Sequence, residues 1–292
     1  MEQERDFPLV TRPPFFRAEE VTAYQQLPGT NFLLKASGQQ PSVPLAGGVS
    51  ASDWDEKQQQ FIQWTKDESM FNEPEVARNH AILQRFFSSR LPLRGCVLDI
   101  GGGWGLFREW WDTDNPADRF VVHDPGRERF TAEPHRSLKQ YFREGLAKPC
   151  WFVEGFGEQL PYQSQRYDTV LIAAALDHCA DPGLVLKEAA RVLKMGGSLL
   201  IIDGCEESPT AQPRKRSFIN RLCTVLLDPA RLRRAIRQRL FHRGDPHLHH
   251  FSRENLRAMM VEAGFGRINE ALIDASYGVY AFEATKASDV LF

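Results

Sequence analysis

The sequence lacks long apolar runs and has few cysteines. Its longest uninterrupted apolar stretch is the seven residues from Val170 to Leu176, whereas a bilayer-spanning helix needs about 18 or more. The five cysteines are odd in number and far apart, without a C-x-x-C pair. Neither a disulfide framework nor a cysteine zinc site is therefore indicated. Residues Met1 to Asp6 have neither the basic nor the apolar region of a secretory signal, so a cytoplasmic location is expected.

The composition is that of an ordinary globular protein, with one strongly basic segment. Hydrophobic residues make up 42% and charged residues 25% of the chain, which excludes disorder and collagen. The net charge is −2, yet residues 214–243 contain ten Lys and Arg against a single acid, Asp228. Peripheral contact with anionic lipid, a basic lid that recognises an acidic substrate, and a solvated lid helix are three interpretations of this segment. No RNA- or DNA-reading motif is present, so nucleic acid is not expected as a partner.

The residue pattern divides the chain near residue 90. Residues 1–90 are predicted to form an arm followed by a helical cap, because apolar residues recur at helical spacing between Val76 and Phe87. Residues 91–292 are predicted to form the core domain. Within it, residues 204–250 are predicted to form a basic, lid-like insertion after the fifth core strand.

Short apolar runs alternate with helix-length segments in the core domain. Five strands are predicted, at residues 96–100, 120–123, 151–153, 169–173 and 198–202. Such alternation indicates crossover connections and a parallel sheet that is covered on both faces. Two final strands, at 267–273 and 277–284, are joined by a short turn and should be antiparallel. The predicted fold is an α/β, Rossmann-like, seven-stranded and mostly parallel sheet with helices on both faces.

Two helices of the core have clear boundary signals. After the fourth strand, Asp181 is a candidate N-cap, Pro182 suits the first helical position, and Gly196-Gly197 would end the helix. A second helix is predicted from Ser252 to Ala263, where Gly264 provides the stop.

A glycine-rich turn follows the first core strand. The spacing D-x-G-x-G-x-G begins at Asp99, whereas a dinucleotide fingerprint would need its third glycine at Leu106 or Arg108. A phosphate loop is also excluded, because no Lys is followed there by Ser or Thr. A carboxylate before the first glycine would repel a pyrophosphate but suits a cationic ligand. Asp124 ends the second strand, close to the offset of about 20 residues at which an acid binds ribose hydroxyls.

These motifs resemble those of the class I S-adenosylmethionine-dependent methyltransferases, in particular the type 11 and small-molecule group. The resemblance covers about residues 91–265. It includes Gly155-Phe156-Gly157-Glu158-Gln159-Leu160-Pro161-Tyr162, similar to the family's G-D-A-E-x-L-P-F, and continues through Leu176-Asp177-His178-Cys179-Ala180-Asp181-Pro182 and Arg191-Val192-Leu193-Lys194-Met195-Gly196-Gly197. Phe156 stands where the family has an acid that contacts adenine, and Met195 replaces a usual proline.

The resemblance implies S-adenosylmethionine as cofactor and assigns residues to its parts. Asp99, Gly101, Gly103 and Gly105 would surround the methionine part, and Asp124 would bind the ribose. Adenine would lie against Pro125 and the backbone of Phe156 and Gly157. Ala173 and Ala174 would form the floor near the sulfonium. These residues are, in chain order, Asp99, Gly101, Gly103, Gly105, Asp124, Pro125, Phe156, Gly157, Ala173 and Ala174.

His178 is the candidate catalytic residue. It follows the fourth strand, and histidine is the usual base near neutral pH. Its side chain is expected to contact the acceptor or to remove a proton from it. The alternative is a purely structural hydrogen bond. His242, His247, His249 and His250 lack Cys or Glu support at fixed spacing, and no metal site is predicted from them.

The expected function is methyl transfer to a small-molecule acceptor. The basic segment would suit an acceptor that is amphiphilic or anionic. The alternative is a catalytically silent relative that acts as a subunit or regulator, motivated by Phe156. A nicotinamide-dependent oxidoreductase is disfavoured by the glycine spacing. A methyltransferase acting on a polynucleotide or a protein is a third competitor, which salt-dependent RNA binding would support.

Overall fold

The computed structural model describes residues 14–28, 30–35, 56–57, 71–90, 92–112, 115–127, 132–206 and 247–286. Nearly all of the predicted insertion and the whole basic segment 214–243 lie outside these residues. Among the described residues, no helix is both long enough and apolar enough to cross a membrane.

One mixed sheet of ten strands organises the described part of the chain. The strands are β1 (Tyr24–Gln26), β2 (Phe32–Lys35), β3 (Val97–Ile100), β4 (Phe120–Asp124), β5 (Trp151–Glu154), β6 (Tyr167–Ala173), β7 (Leu193–Glu206), β8 (Phe251–Ser252), β9 (Phe265–Asp274) and β10 (Val279–Lys286). Their spatial order is β1-β2-β5-β4-β3-β6-β7-β10-β9, and β8 pairs with β7. The pairs from β2 through β5, β4, β3 and β6 to β7 are parallel, whereas β1–β2, β7–β10 and β10–β9 are antiparallel.

The α/β class is confirmed, but the prediction of seven strands is wrong. All seven predicted strands are present, and β1, β2 and β8 add to them. The final hairpin, β9 and β10, has the predicted antiparallel pairing. Because β3 and β4 are neighbours and both are parallel to β6, their carboxyl ends meet at one edge of the sheet. Open α/β sheets bind their ligands at this edge.

The helices lie on both faces of the sheet. They are α1 (Glu73–Ser88), α2 (Arg136–Tyr141), α3 (Arg143–Ala147), α4 (Pro182–Val192) and α5 (Arg253–Glu262). One buried cluster joins Val185 of α4 and Leu256 of α5 to Leu98 of β3. The other joins Phe86 of α1 to Val97 of the same strand. Alternate residues of β3 therefore face opposite layers, as expected for a strand buried on both sides.

Part of the predicted N-terminal arm contributes to the sheet, whereas the segment predicted to be helical contains α1. Strand β2 pairs in parallel with β5, so residues 32–35 extend the edge of the sheet. Phe16 stacks on Tyr162 with ring centroids 5.6 Å apart, and Phe15 meets Tyr167 edge-on at 5.8 Å. These aromatic contacts hold the N-terminal segment against the core, although its sequence has little strand signal.

The two signalled helices begin where the sequence predicts. The Asp181 side chain accepts a hydrogen bond from the Leu184 N–H, and Ser252 caps α5 in the same way through Asn255. However, α4 ends at Val192 and not at Gly196-Gly197. Strand β7 already begins at Leu193, where pairing with β6 draws the backbone out of the helix.

Candidate active site

Three glycines shape the turn after β3. Gly101, Gly103 and Gly105 have φ of +71°, +53° and +67°, the left-handed region that other residues avoid. A Cβ on Gly101 would also lie 2.4 Å from the Cβ of Ala175, which follows β6. The glycines therefore serve both the curvature of the turn and its close approach to the neighbouring strand's end.

Asp99 lies directly beneath this turn. Its side chain is fully buried, and within the described chain neither carboxylate oxygen has a hydrogen-bond partner. A Cβ on Gly102 would lie 2.3 Å from Asp99 Oδ2. Burial raises the pKa of Asp99 well above its usual value, and the nearby charge of Asp124 raises it further, while Arg108 opposes both effects. A buried carboxylate without a hydrogen-bond partner among the described residues favours a ligand that brings positive charge.

Arg108 holds the far end of the turn, a role that the sequence analysis missed. The guanidinium is fully buried and donates to the carbonyl oxygens of Gly105 at 2.9 Å and Trp104 at 3.1 Å, and also to Lys148 O. Its donors thus tie the turn to the segment before β5. A single Arg in a helical-looking stretch carries no sequence signal of such a role.

Asp124 joins the carboxyl end of β4 to the glycine turn. Its Oδ2 accepts a hydrogen bond from the Gly103 N–H at 2.9 Å, and its Oδ1 accepts one from the Gly126 N–H at 2.7 Å. The residue is 1% exposed. The buried carboxylate is thereby held beside the glycine turn.

His123 connects β4 to the loop after β5. Its Nδ1 lies 3.0 Å from the Tyr162 hydroxyl, and its Nε2 lies 3.2 Å from the Phe156 carbonyl oxygen. Burial lowers the pKa of His123 to about 4, so the ring is neutral at pH 7. Since a carbonyl can only accept, Nε2–H donates to Phe156 and Nδ1 accepts from Tyr162.

The predicted adenine-contacting residues occupy different environments. Gly157 is buried, and a Cβ there would lie 2.9 Å from Ile100 Cγ2, so packing requires a glycine. Phe156 is half-buried, and Pro125 is exposed directly after Asp124. All three lie near the carboxyl ends of the sheet strands.

The backbone is strained at the end of β6. Ala174 has φ of +47°, an unusual conformation for a residue with a side chain, and its N–H donates to Ile202 O at 2.8 Å. Ala174 is exposed and Ala173 is half-buried. Such outliers cluster at functional sites, where the surrounding structure holds them in place.

His178 lies on a short 3-10 turn, Leu176–His178, just beyond this strained position. Its side chain is 12% exposed, and its Nε2 is 3.7 Å from Asp177 Oδ1. The His247 ring approaches it with centroids 4.8 Å apart. The structure therefore places His178 in a cluster of polar side chains that the sequence analysis did not foresee.

Buried Asp203 completes the polar surroundings at the carboxyl end of β7. Its Oδ1 accepts a hydrogen bond from the Gly204 N–H at 2.7 Å, while Oδ2 has no partner among the described residues. Burial raises the pKa of Asp203 well above its usual value, with a further contribution from the charge of Asp177.

Family comparisons agree with this arrangement. Residues 98–201 match the family model Methyltransf_11, a methyltransferase domain. The chain is 27% identical over 178 residues to the ubiquinone/menaquinone biosynthesis C-methyltransferase UbiE of Pseudomonas paraeruginosa, covering 59% of this chain and 65% of that protein. It is 25% identical over 180 residues to the mitochondrial 2-methoxy-6-polyprenyl-1,4-benzoquinol methylase of Caenorhabditis elegans, covering 60% and 62%. The matched segment thus spans less than two thirds of these relatives.

A solved structure shares the fold. One chain of the complex between the Haloferax volcanii Trm112 methyltransferase activator and a candidate methyltransferase superposes with a TM-score of 0.50 at 15% identity, covering 78% of this chain and 98% of that one. Residues 98–201 thus match a methyltransferase domain, which supports the predicted resemblance to the class I S-adenosylmethionine-dependent methyltransferases and the cofactor that this class implies.

Proposed function

We propose that this protein transfers the methyl group of S-adenosylmethionine to a small-molecule acceptor. The observation that carries the proposal is the buried carboxylate of Asp99 beneath the three-glycine turn, which has no hydrogen-bond partner in the described part of the chain. A buried ionised carboxylate is costly unless a positive group compensates it. S-adenosylmethionine brings both a sulfonium and an ammonium group, whereas a dinucleotide pyrophosphate would add negative charge.

The residues around the turn divide the binding of the cofactor. Asp99, Gly101, Gly103 and Gly105 surround its methionine part, and the Asp124 carboxylate binds its ribose hydroxyls. The hydrogen bond between the Asp124 carboxylate and the Gly103 N–H supports this assignment, because it places the ribose-binding residue beside the glycine turn.

The remaining predicted residues complete the site. Pro125 and the backbone of Phe156 and Gly157 hold the adenine, and Ala173 and Ala174 form the floor near the sulfonium. The hydrogen bond from His123 to the Phe156 carbonyl supports this assignment, because it fixes the adenine-side loop against β4. The aspartate missing at Phe156 is thus replaced by backbone contacts and packing.

The chain's main catalytic contribution is positioning. When bound, S-adenosylmethionine would supply the methyl group: an acceptor atom would bond to the methyl carbon in line with the breaking C–S bond, and S-adenosylhomocysteine would leave. The rigid turn and the strand ends hold the reacting groups in one geometry and exclude water, the effects on which such a displacement depends most. His178 contacts the acceptor, since it lies beyond Ala174 on the turn after β6.

The acceptor is proposed to be amphiphilic or anionic. The basic residues of 214–243 support this choice by their charge. The relatives' names support it too, since they refer to ubiquinone, menaquinone and a polyprenyl benzoquinol. A quinol ring with an apolar tail is amphiphilic. A catalytically silent role is less favoured, because the glycine turn, Asp99 and Asp124 are all in place.

Transfer of a radioactive methyl group tests the proposal. The purified chain is incubated with methyl-labelled S-adenosylmethionine and, in separate reactions, a short-tailed benzoquinol, a catechol and a phosphorylated phenol. We expect label in at least one acceptor, with equal S-adenosylhomocysteine formed. Asp124→Ala should abolish it, while Asp112→Ala, which removes a carboxylate paired with Arg94, should not. Label recovered in RNA or protein and in no small molecule would contradict the proposal.

A further inference from the structure

Three potential metal ligands converge at the carboxyl end of β6. One ligand atom each from Asp177, His178 and His247 lies within 4.8 Å of the other two. The carboxylate of Asp177 is 3.7 Å from His178 Nε2 through Oδ1 and 3.5 Å from His247 Nε2 through Oδ2. These separations exceed a normal N–H···O bond of about 2.7–3.2 Å. Ligands placed about 2.1 Å from a tetrahedral metal ion are about 3.4 Å apart, so each histidine nitrogen lies near that spacing from one oxygen of Asp177.

The backbone holds this cluster in a fixed geometry. The N–H groups of Leu248 and His249 both donate to the Asp177 carbonyl oxygen, at 2.9 and 3.1 Å. The His249 ring lies 3.0 Å from Cys179 O. The segment that carries His247 is thereby fastened to the turn that carries the other two ligands, although the two segments are distant in sequence.

A buried negative charge beside the cluster calls for a cation. Asp203 is 3% exposed, and its Oδ2 has no hydrogen-bond partner among the described residues. Asp177 lies close enough to Asp203 for their charges to interact. In the part of the chain that the structure describes, neither carboxylate forms an ion pair with Lys or Arg. A metal ion bound at the cluster would compensate the charges of these two carboxylates.

We propose that Asp177, His178 and His247 bind a divalent transition-metal ion. Two imidazoles and a carboxylate suit Zn²⁺, Fe²⁺ or Co²⁺ better than Mg²⁺ or Ca²⁺, which prefer oxygen ligands. Three protein ligands leave a coordination position open, as in catalytic sites. In the proposed methyl transfer, on which this role rests, an acceptor oxygen would fill that position, which places the acceptor beside His178. The sequence analysis predicted no metal because it considered His247 without Asp177 and His178.

Metal titration tests the proposal without any substrate, so its result is independent of whether methyl transfer occurs. Tag-free protein is stripped with a chelator and titrated with Zn²⁺ by calorimetry and with Co²⁺ by visible absorption. We expect one ion per chain and a Co²⁺ spectrum of low coordination number. His247→Ala and Asp177→Asn should each weaken binding by more than the roughly 10–100-fold typical of losing a supporting partner.

A neighbouring histidine provides the matched control. His250 lies on the same segment, is half exposed, and is not one of the three ligands; His250→Ala should retain the affinity of the unmodified chain. Circular dichroism establishes that each variant is folded, and His178→Gln replaces any variant that is not. Absence of stoichiometric Zn²⁺ and Co²⁺ binding, or unchanged affinity in the folded ligand variants, would overturn the proposal.

Discussion

The carboxylate of Asp124 accepts a hydrogen bond of 2.9 Å from the backbone N–H of Gly103. This bond joins the end of β4 to the glycine turn after β3, the two parts of the chain that the proposal assigns to one cofactor. The second oxygen of Asp124 accepts from the Gly126 N–H at 2.7 Å. The same carboxylate thus shapes its own loop and the neighbouring turn.

Replacement of Asp124 should affect stability and cofactor affinity together. Asp124→Ala leaves two N–H groups without their acceptor, which should lower the free energy of unfolding by roughly 1–3 kcal/mol. Affinity for S-adenosylhomocysteine should fall at least about tenfold, since the ribose contact is lost with the turn geometry. Asp124→Asn retains one acceptor oxygen and should give intermediate values by calorimetry and denaturant unfolding. Equal affinity in all three proteins would contradict the assignment.

Arg108 should contribute more to stability than an exposed arginine does. Arg108→Met leaves the carbonyl oxygens of Trp104, Gly105 and Lys148 without their buried donor. We expect unfolding free energy to fall by more than about 3 kcal/mol. Arg108→Lys keeps the charge but not the planar fork, so it should recover only part of the loss. Unfolding in guanidinium chloride measures the unfolding free energy of both variants. A loss below about 1 kcal/mol in Arg108→Met would be inconsistent with a role of Arg108 in holding the turn.

His123 should make the protein less stable in mild acid. Its pKa is lowered to about 4 in the folded chain, whereas an unfolded histidine titrates near 6.5. The unfolded state therefore binds the proton first, and stability is lost as pH falls from about 6.5 towards about 4. The loss of stability reaches about 3 kcal/mol at the lower end of this pH range. The stability difference between the unmodified chain and His123→Gln should shrink by this amount as the pH falls.

Tyr162→Phe serves as the comparison for His123, because it removes the hydroxyl beside Nδ1 and keeps the titrating ring. Its unfolding free energy should retain the acid dependence of the unmodified chain. An unchanged pH slope in His123→Gln would show that other groups cause the dependence.

Asp99 should have the opposite pH signature. Its pKa is raised in the folded state, so its contribution to stability is greatest at low pH and is lost as pH rises through the folded pKa. The stability of the unmodified chain relative to Asp99→Asn should therefore decrease as the pH rises above about 3.9, the usual pKa of an aspartate. Urea unfolding at a series of pH values measures it. A pH-independent difference would mean that the carboxylate is compensated in the folded chain.

The sequence predicts the centre of this fold well because local and tertiary preferences agree there. The apolar runs of β3, β4, β5 and β6 are buried on both faces, and Asp181 and Ser252 cap their helices as expected. Strand β1 was missed because Tyr24-Gln25-Gln26 has no apolar alternation and becomes a strand only by pairing with β2.

Only part of the candidate site, too, could be predicted from the sequence. Asp99, the glycines and Asp124 belong to contiguous motifs, so their proximity could be inferred from strand order. Arg108 acts through backbone carbonyl oxygens, which leave no pattern in the sequence. The meeting of His247 with Asp177 depends on where a distant segment docks, and periodicity carries no information about that.

Calorimetric titration of S-adenosylmethionine and S-adenosylhomocysteine into the purified chain tests the central claim most directly. The account predicts micromolar binding of both at one site per chain, at least about tenfold weaker in Asp99→Asn, with no competition from NAD. An absence of binding in a folded chain, or displacement of either ligand by NAD, would contradict it.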